Sequence, residues 1–157
     1  MARYHVDNRM AGSQQAQTTT YKTAVSVTGT TATLSRGRCV SIKHGADGAP
    51  NATDCQIVYA VQRQTATGTS TPATPNPLVP ADVASRSTAA VNYTAEGTYT
   101  LPIWVMPLNQ RASAIWNAQD VDAMLLWPAT NAAGLAFMAL SPTYTANVLI
   151  GVDYEDL

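Results

Sequence analysis

Only His5 and His44 could change charge near neutral pH without a perturbing environment, so any proton-transfer chemistry would have to begin with them. A hydrolytic triad needs a nucleophile, a base and an orienting acid within reach of one another. Here the base is the scarce part. His5 lies in a polar N-terminal stretch, and His44 precedes Gly45 and Asp47, which reads as a strand end before a turn. No Gly-x-Ser-x-Gly elbow accompanies either histidine. Asp120 and Asp122 form an Asp-x-Asp pair, and Asp153, Glu155 and Asp156 cluster near the end of the chain. Carboxylates so placed could hold a hard cation, but neither group has the glycine-punctuated spacing of a calcium loop. Solvated turn carboxylates are the simpler reading. Glycoside hydrolysis requires two carboxyls at a set separation, and the chain has only two glutamates. Gly68 and its neighbours lack the Gly-Lys-Ser/Thr signature of a phosphate loop. These residues define no catalytic, cofactor-binding or metal-binding set.

Trp104, Trp116 and Trp127 admit two readings. Aromatic faces can stack on sugars, but each tryptophan sits inside an apolar strand candidate, where it would fill core or a subunit interface. Cys39 and Cys55 could lie on neighbouring strands. Strand parity puts Cys55 on an apolar face and Cys39 on a polar one, so the two side chains point apart and a reduced pair is expected. Asn51-Ala52-Thr53 and Asn92-Tyr93-Thr94 match the glycosylation pattern, which carries no weight without a secretion signal.

Composition narrows the partners. The 157 residues carry nine basic and ten acidic side chains, a net charge of -1, and only 12% are charged. Thr, Ala, Ser, Gln and Asn take the place of charge, so the surface is neutral and hydrogen-bonding. Nothing in that balance attracts nucleic acid or anionic lipid. Apolar runs fall far short of a membrane span, and Met1–Asp7 has no apolar segment of a secretory signal, so a soluble protein made inside the cell is expected. At this length the folded surface should be roughly 7,600 Å², with about two thirds of the unfolded area buried.

The elements that would position these residues are strands. Residues 1–18 show almost no apolar periodicity and predict an extended N-terminal arm, disordered in the free monomer or ordered against a neighbour. From residue 19 the period is two. Strands are predicted at Tyr21–Val27, Thr31–Leu34, Arg38–Lys43 and Cys55–Gln62, the last with Ile57, Tyr59 and Val61 on one face. Arg63–Pro80 is polar and proline-rich and reads as a long contact loop, and Pro80–Ser85 as one helical turn. Further strands are predicted at Thr88–Thr94, Leu101–Met106, Ala112–Asn117, Met124–Trp127, Gly134–Leu140 and Thr145–Tyr154. Short strands with turn signals every 8 to 12 residues predict an all-β fold, a jelly-roll-like two-sheet β-sandwich of about eight strands spanning 19–157 as a single domain.

Several loop and strand patterns resemble a known family. They are Tyr59–Thr69, Thr74–Asp82, Val91–Thr98, Leu108–Ala112 and Val152–Glu155. Together they resemble the small all-β virion proteins of tailed phages, of the capsid decoration (cement) type. The resemblance implies a non-enzymatic structural protein without cofactors. Its partners would be the major capsid protein and further copies of itself, a trimer by analogy, with no nucleic acid or membrane. It would sit on the capsid surface of the virion after synthesis in the host cytoplasm. A receptor- or carbohydrate-binding module of a fibre or tail is the alternative. A single-jelly-roll capsid protein ranks third, because an RNA-neutralising arm would need more cations than Arg3 and Arg9.

Overall fold

The computed structural model describes residues 1–11, 14–120 and 124–157. Its strands in chain order are β1 (Arg3–Asp7), β2 (Gln15–Gln17), β3 (Lys22–Thr28), β4 (Gly37–Ala46), β5 (Gln56–Ala66), β6 (Thr69–Ala73), β7 (Asn76–Pro77), β8 (Thr88–Ala95), β9 (Thr98–Asn109), β10 (Ser113–Asn117), β11 (Leu125–Trp127), β12 (Gly134–Leu140) and β13 (Ala146–Asp156). Among the described residues there is no helix. One sheet has the order β10-β4-β13-β1-β7, with β11 also on β4 and β2 also on β13. The other has the order β6-β8-β3-β12-β5-β9. Every pairing is antiparallel.

Eight strands make the frame: β1, β13, β4 and β10 in the first sheet, and β3, β12, β5 and β9 in the second. Numbered along the chain, these eight run 1-8-3-6 and 2-7-4-5, so every connection but one crosses between sheets. That is jelly-roll wiring, two interlocked Greek keys. The predicted two-sheet sandwich therefore holds, with five further strands added to its edges.

The core forms where the two inner faces meet. Tyr4, Val6, Ile42, Val148, Ile150, Val152 and Tyr154 come from one sheet, and Val25, Val27, Ile57, Tyr59, Val61, Leu135 and Phe137 from the other. In β13 the alternation Val148, Ile150, Val152, Tyr154 places every second side chain inside, as its period of two dictates. The accessible surface is 7467 Å², close to the area expected for the chain length.

Four local predictions are corrected. Arg3–Asp7 is no free arm: it lies between β13 and β7, in register from Arg3 opposite Glu155 to Asp7 opposite Gly151. Its signal is weak because only Tyr4 and Val6 turn inward, while His5 and Asp7 make the alternate face polar. Thr31–Leu34 is a tight turn closed by a bridge between Thr30 and Ser35, with Leu34 at a positive φ of 50° and exposed. Arg63–Pro80 is largely paired: β5 continues to Ala66, β6 pairs with β8, and β7 pairs with β1. Its prolines are tolerated because β6 and β7 are edge strands, whose outer backbone need not donate to a ladder. Val79–Asp82 makes one hydrogen-bonded turn and no helix.

A second buried layer lies outside the main core. β5–β6 and β8–β9 are the two arms of one long ribbon, paired along 56–66 with 98–109 and along 69–73 with 89–95. Its corner needs glycine at Gly68 and Gly97, where a Cβ would collide with the Ala95 and Ala66 carbonyl oxygens. One end of this ribbon flanks β12 and the other flanks β3, so it folds across the outer face of the sheet they share. The Tyr93 hydroxyl meets Ser26 Oγ at 2.6 Å and donates to Gln64 Oε1 at 3.4 Å, and Glu96 and Tyr99 accept from Thr23. Beneath it Ser26, Ala60, Ala136 and Met138 are buried although they are not part of the main core.

Candidate functional site

His44 and His5 have opposite fates. His44 on β4 points inward, with its ring stacked on Trp104 at 5.1 Å and set edge-on to Tyr59 at 4.9 Å. Its Nδ1 is buried without a hydrogen-bond partner, and burial pushes its pKa down to about 4. His44 is a neutral core aromatic. His5 faces outward on β1, with Nδ1 2.6 Å from Asp153 Oδ1 and Nε2 3.1 Å from Asp7 Oδ2. The bond to Asp153 raises its pKa most, against partial burial, with Asp7 adding to the rise. Burial alone would raise the Asp153 pKa, but hydrogen bonds from His5, Ser41 and Lys43 outweigh it and hold the carboxyl well below the usual range.

This outward cluster contains Ser, His and Asp but is not wired as a triad. Ser41 Oγ donates to Asp153 Oδ2 at 2.7 Å, and both imidazole nitrogens already face carboxylates. No imidazole lone pair is directed at the hydroxyl, which a general base requires. The arrangement ties β1, β13 and β4 together across the sheet face.

The terminal acids are also occupied by the fold. Glu155 lies between Arg3, at 2.7 Å, and Arg38, at 2.6 Å. Asp156 accepts from Ser85, the Arg86 amide and Ser87. Asp122 lies outside the described residues, so the Asp-x-Asp pair is described only at Asp120. Among the described residues no group of three His, Cys, Asp or Glu side chains could hold a metal ion.

The cysteines are both free, and Cys39 faces the core rather than the polar side predicted for it. Cys39 is in the core and Cys55 is half-buried ahead of β5. A bulge explains it: Ser41 pairs with Asp153 and Cys39 with Tyr154, leaving Val40 as the extra residue that inverts the parity of β4. Burial raises the Cys39 thiol pKa, so it remains an uncharged core group. Trp127 is buried, edge-on to Tyr154 at 5.5 Å. Trp104 and Trp116 are half-buried at the open edge of the sandwich, where they pack against the core.

The surface that stands out is apolar. In β9, Trp104, Met106 and Leu108 turn inward, which leaves Ile103 and Val105 on the other face, exposed by 40% and 50%; beyond the register shift at Ile103 the strand continues to Leu101, exposed by 86% and opposite Arg63. Strand registers extend this face: Leu140 pairs with Val58 and Val58 with Pro107, while Met138 pairs with Ala60 and Ala60 with Val105. Outer faces of sandwiches are ordinarily polar. Here three adjacent strands carry apolar rows on the outside, and the ribbon covers only part of them. The sequence signal is the unbroken apolar run Gly134–Leu140 together with Leu101–Leu108, too apolar for strands buried on one side only.

Compared with family models, with curated proteins and with solved structures, the chain finds no match in any of the three.

Proposed function

We propose that the protein is a capsid decoration (cement) protein, a non-catalytic virion part that binds the outside of an assembled head and bridges its subunits. The single observation that carries the reading is the run of exposed apolar side chains, Leu101, Ile103 and Val105, along the long edge strand β9. Large exposed apolar side chains gathered along one edge are a surface kept for a partner. The strongest imidazole–carboxylate cluster is spent on tying strands together, which favours a mechanical role over a chemical one. A protein that binds the assembled shell and not its separated subunits stabilises the shell by mass action, and many small interfaces add up over many copies.

The test mixes purified protein with empty heads built from the major capsid protein of the same virus and sediments them. Saturable co-sedimentation is expected, and it should be lost in the Leu101→Asn, Val105→Asn double variant with the circular dichroism spectrum unchanged. Wild-type protein that stays in the supernatant overturns the reading.

A further inference from the structure

Three of the nine cationic side chains surround one notch at the open edge of the sandwich. Arg36, Arg38 and Arg63 line a cavity of about 610 Å³ with Leu126, Trp127, Pro128 and Leu157. Both sheets build it: Arg38 is on β4 and Arg63 on β5. The Arg63 guanidinium bridges the gap by donating from Nη1 to the Leu126 carbonyl at 2.8 Å. Gly37 lies against the Trp127 indole, where a Cβ would collide with the ring, so the floor is flat and apolar. Leu126 is exposed over this floor.

The charges are only partly balanced. Arg38 is held by Glu155, but among the described residues neither Arg36 nor Arg63 forms an ion pair. No Asp or Glu side chain lines the cavity; Leu157 does, its amide donating to the Arg36 carbonyl at 2.8 Å, and its main-chain carboxylate forms no ion pair with Arg36 or Arg63. Two guanidinium groups therefore stand over an apolar floor in a chain whose net charge is -1. The notch also adjoins the apolar strip. Gln62 pairs with Pro102 and Gln64 with Tyr99, which sets Arg63 opposite Thr100 and Leu101.

We propose that this notch receives a carboxylate-bearing segment of the partner polypeptide whose remaining side chains are aliphatic. The carboxylate pairs with Arg36 and Arg63, and the aliphatic side chains lie on Leu126 and along Leu101, Ile103 and Val105. Guanidinium is suited to this because its planar fork can bind a carboxylate through two parallel hydrogen bonds. The inference extends the decoration reading and states the chemistry of the shell segment that the protein contacts.

Two arms test it separately. In the first, an end-blocked peptide of alternating valine and glutamate is titrated into the protein while the arginine Nε resonances are followed by NMR. Selective shifts at Arg36 and Arg63 are expected, with affinity about tenfold lower in Arg36→Gln, Arg63→Gln and weakened at about 0.5 M salt. Arg36→Gln alone, which removes no hydrogen bond of the fold, should show part of that loss. Equal binding by a valine–glutamine peptide overturns the inference. So do equal binding by the double variant and equal response to inorganic phosphate.

In the second arm the double variant is sedimented with empty heads. Weakened, less salt-sensitive binding supports the notch. If wild type and variant bind equally, the notch is overturned and the decoration reading stands. If wild type does not bind heads, the decoration reading falls while the peptide titration still judges the notch. A drop in oligomeric state of the variant by analytical ultracentrifugation would place the acid on a second copy and overturn the assignment to the shell.

Discussion

His44 shows how position overrides residue type. The imidazole that a catalytic reading would want is packed against Trp104 and Tyr59, so protonating it would bury a charge. Its folded pKa of about 4 lies below the unfolded 6.5, so its favourable contribution is complete above pH 6.5 and is lost as pH falls to 4. That loss is about 3 kcal/mol at pH 4. His44→Phe should keep the ring packing and flatten the fall of stability between pH 6.5 and 4 in urea titrations. His5 has the opposite sign. Its pKa is raised, so its contribution is complete below 6.5 and is lost as pH rises through the folded value. His5→Gln should therefore cost more stability at pH 6 than at pH 9, measured by the same titration. Neither role was legible from type and spacing. His44 stands on a strand that continues past its predicted end to Ala46, and the partners of His5 are Asp153, 148 positions away, and Asp7. Cys39 was misplaced for a related reason, since a bulge at Val40 is invisible to a rule that counts by two.

Elements are most legible where an apolar run or an alternation is long. Gly134–Leu140 follows from a short apolar run bounded by turn signals, and the inward row Val148–Tyr154 from its period. Short polar strands were not legible, because β1, β6 and β7 draw their stability from neighbours far along the chain rather than from local pattern. β1 gives the clearest test. A chain starting at Asn8 would lose the buried side chains of Tyr4 and Val6 and uncover one edge of β13. A loss of at least about 4 kcal/mol is expected, seen as a lower urea midpoint or outright unfolding. A loosely attached arm would leave the midpoint unchanged.

At the scale of the molecule, the two-sheet sandwich was legible and its asymmetry was not. The turn signals point to about eight strands, the number in the frame, but not to the five added ones, nor to the excursion that the chain between β5 and β9 makes to the far side. There β8 covers β3 and β7 covers β1, so the far edges are short and interrupted: five residues with Pro72, and two with Pro77. The near edge is β9, twelve residues long, together with β10 and β11. The notch between Arg36 and Arg63 was equally hidden, because its arginines are brought together only by the meeting of the two sheets. Short margins give a partner little to hold, whereas the near margin is long and apolar; because it carries Pro102 and Pro107, it offers apolar side chains rather than a continuous backbone ladder. A body adhesive on one flank and blunt on the other can be added to a lattice but offers nothing for the next copy to build on. Coverage of such a lattice should stop at a single layer however much protein is supplied.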